Sequence, residues 1–183
     1  MTIHSRPRIV VTGTTGQVGW ELLRSLQGLG EIISVDRSVV DLSRLDAVRA
    51  LIRSIEPSII VNAAAYTAVD KAEQEPDPAF RLNADLPGVL AEECKRTQAA
   101  FIHYSTDYVF DGRKDGPYTE ADATNPLNVY GASKLAGEHN ALDANPATLV
   151  FRTSWVYGAR GKNFLTTIQR LAKERQQLRV VSD

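Results

Sequence analysis

Tyr130 and Lys134 are the pair of residues whose types and spacing most clearly suggest chemistry. They stand four positions apart in Tyr130-Gly-Ala-Ser-Lys134, and residues at i and i+4 share one face of a helix. A tyrosine with its ordinary pKa of ~10 transfers protons poorly at neutral pH, but a nearby ammonium stabilises the phenolate and lowers that pKa. The spacing therefore predicts a proton-transferring phenol with an assisting lysine, and an ordinary surface pair is the alternative.

Three glycines near the N-terminus form a second motif, with the spacing Gly13-x-x-Gly16-x-x-Gly19 between a predicted strand and a predicted helix. Gly13 would permit a tight turn, Gly16 a close approach to a pyrophosphate, and Gly19 close packing of helix on strand. The free N–H groups at the helix N-terminus would then face the phosphates. The motif indicates dinucleotide binding, and a glycine-rich turn without a ligand is the alternative.

Asp36 ends the second predicted strand, where an acidic residue usually binds the hydroxyls of the adenosine ribose. This position favours NAD, whereas the adjacent Arg37 could meet the 2′-phosphate of NADP. NADH and NADPH therefore both remain open, and a solvated carboxylate is the alternative for Asp36. The small side chains of residues 63–65, after the third strand, would leave room for the cofactor.

Thr106 follows the fourth predicted strand, at the edge where open α/β sheets bind ligands. Its hydroxyl could donate to a carbonyl oxygen that gains charge during hydride addition. The alternative is a hydroxyl that only caps the end of the strand.

Short apolar runs that alternate with amphipathic segments must position these residues. The predicted strands cover residues 8–12, 31–36, 58–62, 100–105 and 147–152, with a sixth over 178–181. The predicted helices cover residues 18–29, 43–55, 79–97, 129–141 and 164–175, with Ser43 as the N-cap of the second. Residues 111–126, rich in Gly, Pro and Asp, are predicted to form a surface loop. The pattern predicts a doubly wound parallel sheet of the Rossmann type, with three α/β/α layers.

Composition narrows the class of partner. The 183 residues include 21 Lys and Arg against 22 Asp and Glu, a net charge of -1, which offers no electrostatic case for nucleic acid or a membrane. Cys94 is the single cysteine, which fits a cytoplasmic protein, and it is expected to be a small core residue. His4, His103 and His139 lack the spacing of metal ligands, so no metal site is expected.

With these motifs, the chain resembles the extended short-chain dehydrogenase/reductases, and within them the dTDP-4-dehydrorhamnose reductase family. The segments that carry the resemblance are Gly13-Thr-Thr-Gly-Gln-Val-Gly-Trp-Glu-Leu22, Val61-Asn-Ala-Ala-Ala-Tyr-Thr-Ala-Val-Asp-Lys-Ala-Glu73, His103-Tyr-Ser-Thr-Asp-Tyr-Val-Phe110, Pro126-Leu-Asn-Val-Tyr-Gly131, Lys134-Leu-Ala-Gly-Glu138 and Arg152-Thr-Ser-Trp-Val-Tyr-Gly158. The reaction that this resemblance implies is reduction of the C4 keto group of dTDP-4-dehydro-L-rhamnose by NADPH or NADH, in the synthesis of dTDP-rhamnose for lipopolysaccharide and O-antigen.

The resemblance also implies roles for individual residues. The implied catalytic residues are Thr106, Tyr130 and Lys134, and the implied substrate contacts are Thr106, Asp107 and Trp155. The implied cofactor contacts are Gly13, Gly16, Gln17, Val18, Asp36, Asp41, Leu42, Ala65, Tyr66, Thr67, Tyr104, Tyr130 and Lys134. For Trp155 the alternative is an indole packed in the core.

The expected domain is one NAD(P)-binding unit over residues 1–183. Members of the family continue into a small substrate lobe, which we expect to be absent from this chain. A dehydratase would need a second carboxylate after Asp107, where Tyr108 stands, whereas a nucleotide-sugar epimerase remains open. An NADP-binding regulatory protein resembling the β subunit of methionine adenosyltransferase also remains open. The sequence does not determine the oligomeric state, and a homodimer is left open.

Overall fold

The strands form one parallel sheet at the centre of the molecule. The computed structural model describes residues 6–178 of the chain. The strands are β1 (Arg8–Thr12), β2 (Glu31–Val35), β3 (Ile59–Asn62), β4 (Ala100–Thr106) and β5 (Leu149–Thr153). Their order across the sheet is β2-β1-β3-β4-β5, and each neighbouring pair is parallel. The direction of winding reverses between β1 and β3, which opens a crevice at their carboxyl ends.

Helices cover both faces of this sheet, which confirms the predicted fold class. They are α1 (Gln17–Ser25), α2 (Leu45–Ile55), α3 (Val69–Ala72), α4 (Pro76–Phe80), α5 (Leu86–Thr97), α6 (Val129–Ala144) and α7 (Phe164–Glu174), with a π-helical turn (Arg81–Asp85) between α4 and α5 and a 3₁₀ turn (Asp107–Val109) after β4. No helix among residues 6–178 has both the length and the apolar character needed to cross a membrane.

Side chains of β1 alternate between two apolar cores, because successive residues of a strand point to opposite faces. Val10 joins the larger core, which α2, α5 and α6 cover, whereas Ile9 and Val11 join the smaller one under α1. Cys94 is fully buried in the larger core, as expected for a structural cysteine.

Two predicted helix boundaries are wrong. Helix α1 ends at Ser25 instead of residue 29, because the chain turns at once, with Leu29 N–H donating to Leu26 O at 2.9 Å. Helix α2 begins at Leu45 with Arg44 as its N-cap. The Ser43 hydroxyl donates to Asp41 Oδ1 at 2.8 Å, so it does not cap the helix.

The predicted helix over residues 79–97 is in fact three consecutive segments, α4, the π turn and α5. The short helix α3 was not predicted. Helix α6 continues three residues beyond the predicted end, to Ala144. Residues 111–126 contain no helix or strand, as predicted. Most of the predicted sixth strand, residues 179–181, lies outside the described residues.

Gly137 lets α6 lie directly against the π turn. A Cβ at this position would be 1.9 Å from the backbone oxygen of Asn83. We expect Gly137→Ala to lower the free energy of unfolding by about 2–3 kcal/mol, because backbone cannot move aside as a side chain can. Urea denaturation followed by circular dichroism measures the change.

Gly28→Ala is the matched control for Gly137→Ala, since a Cβ at Gly28 meets nothing within 4 Å. The control should stay within about 0.5 kcal/mol of the parent. Equal stabilities of the two variants would contradict the close packing of α6 on the π turn.

Glu93 holds α2 and α5 together through a network of arginines. Its side chain is 2% exposed and receives N–H groups from Arg49, Arg53 and Arg96 at 2.7–3.3 Å. The hydrogen bond from Arg53, followed by those from Arg96 and Arg49, outweighs burial and lowers the pKa of Glu93 to about 2.

Because folding lowers the pKa of Glu93, its contribution to stability is complete above the unfolded value of 4.5 and is lost as the pH falls towards about 2. The free energy of unfolding of the parent falls on acidification, and we expect Glu93→Gln to make this fall smaller by about 1–2 kcal/mol. This figure takes into account that solvent around the exposed arginines weakens the ion pairs. Urea denaturation at a series of pH values measures it. If the free energy of unfolding of Glu93→Gln falls with pH below 4.5 as steeply as that of the parent, the role of Glu93 is contradicted.

Candidate active site

The glycine motif forms a tight turn between β1 and α1. Gly13 has φ +70°, and a Cβ there would lie 2.5 Å from the backbone nitrogen of Ala64. At Gly19 a Cβ would lie 2.2 Å from Gly13 O, so helix and strand touch there, as predicted. Gly16 N–H donates to Gly13 O, and Gly16 caps α1 without any side-chain hydrogen bond. The first N–H groups of α1 therefore remain available to an anion.

A cleft of about 670 Å³ begins at this turn and follows the carboxyl ends of the strands. Its lining includes ten of the predicted site residues: Gly13, Gly16, Gln17, Val18, Asp36, Ala65, Thr67, Tyr104, Tyr130 and Lys134. The glycine turn and the Tyr130–Lys134 pair, 117 positions apart from Gly13 to Tyr130, thus face the same space. This volume suits an extended ligand, since small-molecule sites commonly enclose about 300–1,000 Å³.

Asp36 and Arg37 line the end of the cleft beside β2. Asp36 Oδ1 accepts from the N–H and the hydroxyl of Ser38 at 2.8 and 2.6 Å, and these bonds lower the pKa of Asp36. The carboxylate is therefore ionised at neutral pH.

Three predicted cofactor contacts lie outside the lining of this cleft. Leu42 is buried in the larger core. The exposed Asp41 accepts from the N–H and hydroxyl of Ser43, as Asp36 does from Ser38. The Tyr66 hydroxyl donates to Glu75 Oε2 at 2.8 Å, and burial followed by this bond raises the pKa of Tyr66. The side chain of Tyr66 is therefore tied to a carboxylate that does not line the cleft.

Tyr130 stands in the first turn of α6, which Asn128 caps by accepting from Gly131 N–H at 2.7 Å. Its ring packs edge-on against Tyr108, with centroids 5.5 Å apart. Lys134 follows one turn later, 2% exposed, and its Nζ donates to Tyr104 O at 2.6 Å.

The expectation that Lys134 lowers the pKa of Tyr130 is wrong for this structure. Burial raises the pKa of Tyr130 above 10, a hydrogen bond with Thr106 opposes this increase, and the nearby Asp107 and Tyr108 side chains add to it. The ammonium of Lys134 is engaged by a backbone carbonyl and makes no comparable contribution. Tyr130 therefore keeps its proton at neutral pH, as an acid should.

Two of the predicted substrate contacts, Asp107 and Trp155, line a second cavity of about 530 Å³ together with Tyr108. The third, Thr106, is in the lining of neither cavity. The Tyr108–Tyr130 ring contact connects this cavity to the first. Asp107 accepts from the hydroxyls of Thr106 at 3.2 Å and Ser154 at 2.6 Å. The indole of Trp155 is 72% exposed, which excludes the alternative of a packed core residue.

The comparisons with known proteins agree with this geometry. The family model described as the RmlD substrate binding domain matches residues 7–183. The chain belongs to this family.

Two relatives of this RmlD-family chain carry the same name. The dTDP-4-dehydrorhamnose reductases of Burkholderia thailandensis and Salmonella typhimurium are 51% and 52% identical to it, and each match covers 96% of this chain. The chain spans about 60% of the length of these curated relatives.

Solved structures agree at the level of the backbone. A dTDP-4-dehydrorhamnose reductase from Clostridium acetobutylicum superposes with a TM-score of 0.91 at 39% identity, covering 95% of this chain and 62% of that one. The enzyme of the same name from Bacillus anthracis, solved in complex with NADP, gives 0.90 at 37% identity, covering 94% and 62%.

Sequence reasoning missed the loop after β5 as part of the RmlD-family cleft. Gly161 and Lys162 line it. Gln17 Nε2 donates to Lys162 O at 3.3 Å, and Gln17 Oε1 accepts from Asn163 Nδ2 at 2.8 Å, so the loop is fastened to the glycine turn. The run of glycine and basic residues over 158–162, just after a strand, was the signal that could have identified it.

Metal ligands were not expected, and among residues 6–178 no group of three or more His, Cys, Asp or Glu side chains converges on a point. His103 is a buried strand residue, as the sequence suggested.

Proposed function

We propose that the cleft binds NADPH or NADH and that the full-length protein reduces the C4 keto group of dTDP-4-dehydro-L-rhamnose to dTDP-L-rhamnose. One observation carries the proposal: the glycine turn and the Tyr130–Lys134 pair line a single cleft. The turn fits a dinucleotide, because Gly13 lets it pass directly against the backbone of Ala63 and Ala64 and because no side chain caps the N-terminus of α1.

The names of the relatives support the substrate. They do not favour the NADP-binding regulatory protein or the epimerase as alternatives. The neighbour from Bacillus anthracis holds NADP, and two more distant neighbours from Bordetella bronchiseptica hold NAD, which supports both forms of the cofactor.

In the proposed mechanism each residue of this chain has a distinct task. The bound cofactor supplies a hydride to C4 of the sugar. The Thr106 hydroxyl turns from Asp107 to donate to the carbonyl oxygen, which gains negative charge. Tyr130, protonated at neutral pH, gives its proton to that oxygen, so that the keto group gains two hydrogens. Lys134 would orient the nicotinamide ribose.

The remaining cofactor and substrate assignments are part of the same proposal. The ten lining residues hold the dinucleotide, Asp41, Leu42 and Tyr66 shape its surroundings, and Asp107 and Trp155 contact the sugar nucleotide. Residues 1–183 would form the NAD(P)-binding domain, and the part of the relatives that this chain does not cover would supply the substrate lobe. The product would serve lipopolysaccharide and O-antigen synthesis from the cytoplasm, where nucleotide sugars are made.

Fluorescence titration of the chain with NADH and with NADPH tests cofactor binding. Gly13→Ala should abolish the signal, because its Cβ would collide with backbone at a positive φ. Gly116→Ala is the matched control, with φ +101° and nothing within 4 Å of the added Cβ. Unchanged binding by Gly13→Ala would contradict the assignment of the turn.

Turnover is tested with a protein of the relatives' full length, by following oxidation of NAD(P)H with dTDP-4-dehydro-L-rhamnose. Oxidation that depends on the keto sugar supports the proposal. Cofactor binding without any such oxidation would favour the regulatory protein.

A further inference from the structure

A chain of buried polar side chains runs beneath the cleft, across three adjacent strands and into α6. Thr12 Oγ1 donates to Asn62 Oδ1 at 2.6 Å, Asn62 Nδ2 lies 3.1 Å from His103 Nδ1, and His103 Nε2 lies 3.5 Å from Lys134 Nζ. All four residues are at most 2% exposed. The mechanism above uses Lys134 but none of the other three.

The orientation of the Asn62 amide follows from its other partners. Its Oδ1 accepts from the Thr12 hydroxyl and from Ala64 N–H at 3.2 Å. A backbone N–H cannot accept, so the amide nitrogen must be the atom that faces His103. Since that nitrogen donates, His103 Nδ1 accepts, and the proton of a neutral imidazole is then on Nε2.

His103 is neutral under these conditions. It is fully buried and stacked near Phe101, with ring centroids 6.2 Å apart. Burial together with the charge of Lys134 holds its pKa well below 6.5, against a smaller opposing effect of a backbone hydrogen bond with Asn62. A second proton on Nδ1 would also face the amide nitrogen of Asn62, which cannot accept it.

The Nε2–H group of His103 therefore points at Lys134, where it disfavours an ammonium. An ammonium has three donors and no acceptor, whereas an uncharged amine offers a lone pair. Burial acts in the same direction and lowers the pKa of Lys134 to about 8.

Other charged groups around Lys134 do not cancel this effect. Glu138, one turn along α6, favours the ammonium, but its carboxylate already accepts from Arg152 of β5 and from Ser105 of β4. Tyr130, on the same helix, is protonated, and Asp107 raises the pKa of Tyr130 without a comparable effect on Lys134.

We propose that His103, fixed as its Nε2–H tautomer by Asn62 and Thr12, is a positioning residue that lowers the proton affinity of Lys134. The inference rests on the proposed reduction. After Tyr130 protonates the sugar oxygen, an N–H bond of Lys134 breaks and the O–H bond of Tyr130 reforms. The amine left on Lys134 then accepts from His103 Nε2–H, until solvent restores the ammonium.

NMR of the full-length protein labelled with ¹⁵N and ¹³C tests the tautomer directly. Long-range imidazole correlations should show an unprotonated Nδ1 and a protonated Nε2 on His103. A protonated Nδ1 in the unaltered protein would overturn the proposal. The measurement needs no turnover, so its failure is distinguishable from a failure of the reductase assay.

Two variants of Asn62 then test the effect on Lys134, followed through its ¹³Cε shift across neutral and alkaline pH. Asn62→Asp accepts from Nδ1–H and should reverse the tautomer, and Asn62→Leu releases it without adding charge. Nε2 becomes an acceptor for the ammonium in Asn62→Asp and is free to become one in Asn62→Leu. We expect the proton affinity of Lys134 to rise at least about tenfold in both. The pH at which kcat/KM for reduction falls should rise with it.

An unchanged pKa of Lys134 in folded Asn62→Asp, or a reversed tautomer without a higher pKa, would sink the proposal. Backbone amide spectra confirm that each variant is folded. Asn62→Asp, whose carboxylate still receives the Thr12 hydroxyl, also adds a negative charge that raises the pKa of Lys134 by itself. If Asn62→Leu does not fold, the tautomer of His103 in the unaltered protein therefore decides the question.

Discussion

Tyr130→Phe is expected to lower kcat for reduction of the keto sugar by at least about 10²-fold, the usual contribution of a positioned general acid. The variant loses only the hydroxyl and keeps the ring that packs on Tyr108. Because burial keeps the phenol of Tyr130 protonated at neutral pH, that hydroxyl is available as a proton donor in the cleft. Binding of NADPH should change little, since the substitution leaves the glycine turn unaltered.

Stopped-flow absorbance of NADPH with the full-length protein measures the change in kcat, and fluorescence titration measures cofactor binding. Tyr157→Phe is the matched control, because Tyr157 is 73% exposed and does not line the cleft. Turnover by Tyr130→Phe at the parent rate would remove Tyr130 from the mechanism.

Arg152→Met is expected to lower the free energy of unfolding by about 3 kcal/mol, the typical effect of leaving a buried charge without its partner. Glu138 is 2% exposed and accepts three hydrogen bonds from Arg152, at 2.6–3.2 Å, and one from Ser105 at 2.5 Å. After the substitution only the Ser105 hydroxyl would remain to stabilise the carboxylate.

A double-mutant cycle separates the lost ion pair from the lost packing. Arg152→Met combined with Glu138→Met should recover most of the stability, because no unpaired charge stays buried. Arg170→Met is the surface control: its pair with Glu174 is half exposed, and its removal should cost about 0.5 kcal/mol or less. Simple additivity in the cycle would show that the two side chains act independently.

The parts of the site that depend on local sequence could be predicted. The glycine spacing and the i, i+4 relation of Tyr130 to Lys134 are properties of one turn and one helix, and the structure places both along one cleft. The alternation of strands and helices predicted the parallel sheet for the same reason, since each element was identified from its own periodicity.

The interactions of these residues depend on tertiary contacts that no local pattern contains. The ammonium of Lys134 donates a hydrogen bond to the carbonyl of Tyr104, and the hydroxyl of Tyr66 donates one to the carboxylate of Glu75. Strand pairing brings Asn62 beside His103, a relation that only the register of β3 on β4 specifies. The same holds for the boundary of α2, where Asp41 competes successfully for the Ser43 side chain.

The π turn at Arg81–Asp85 carries one residue more than an α-helical path of the same rise would need. Asn83 lies in this widened backbone. Its side-chain oxygen accepts from Tyr66 N–H, and its side-chain nitrogen donates to the Ser133 hydroxyl. Deleting one residue there would rotate everything on the N-terminal side by about 100° relative to α5. The segment should therefore tolerate substitutions in the course of evolution far better than insertions or deletions. Its length, as well as its sequence, sets the position of the preceding elements relative to α5.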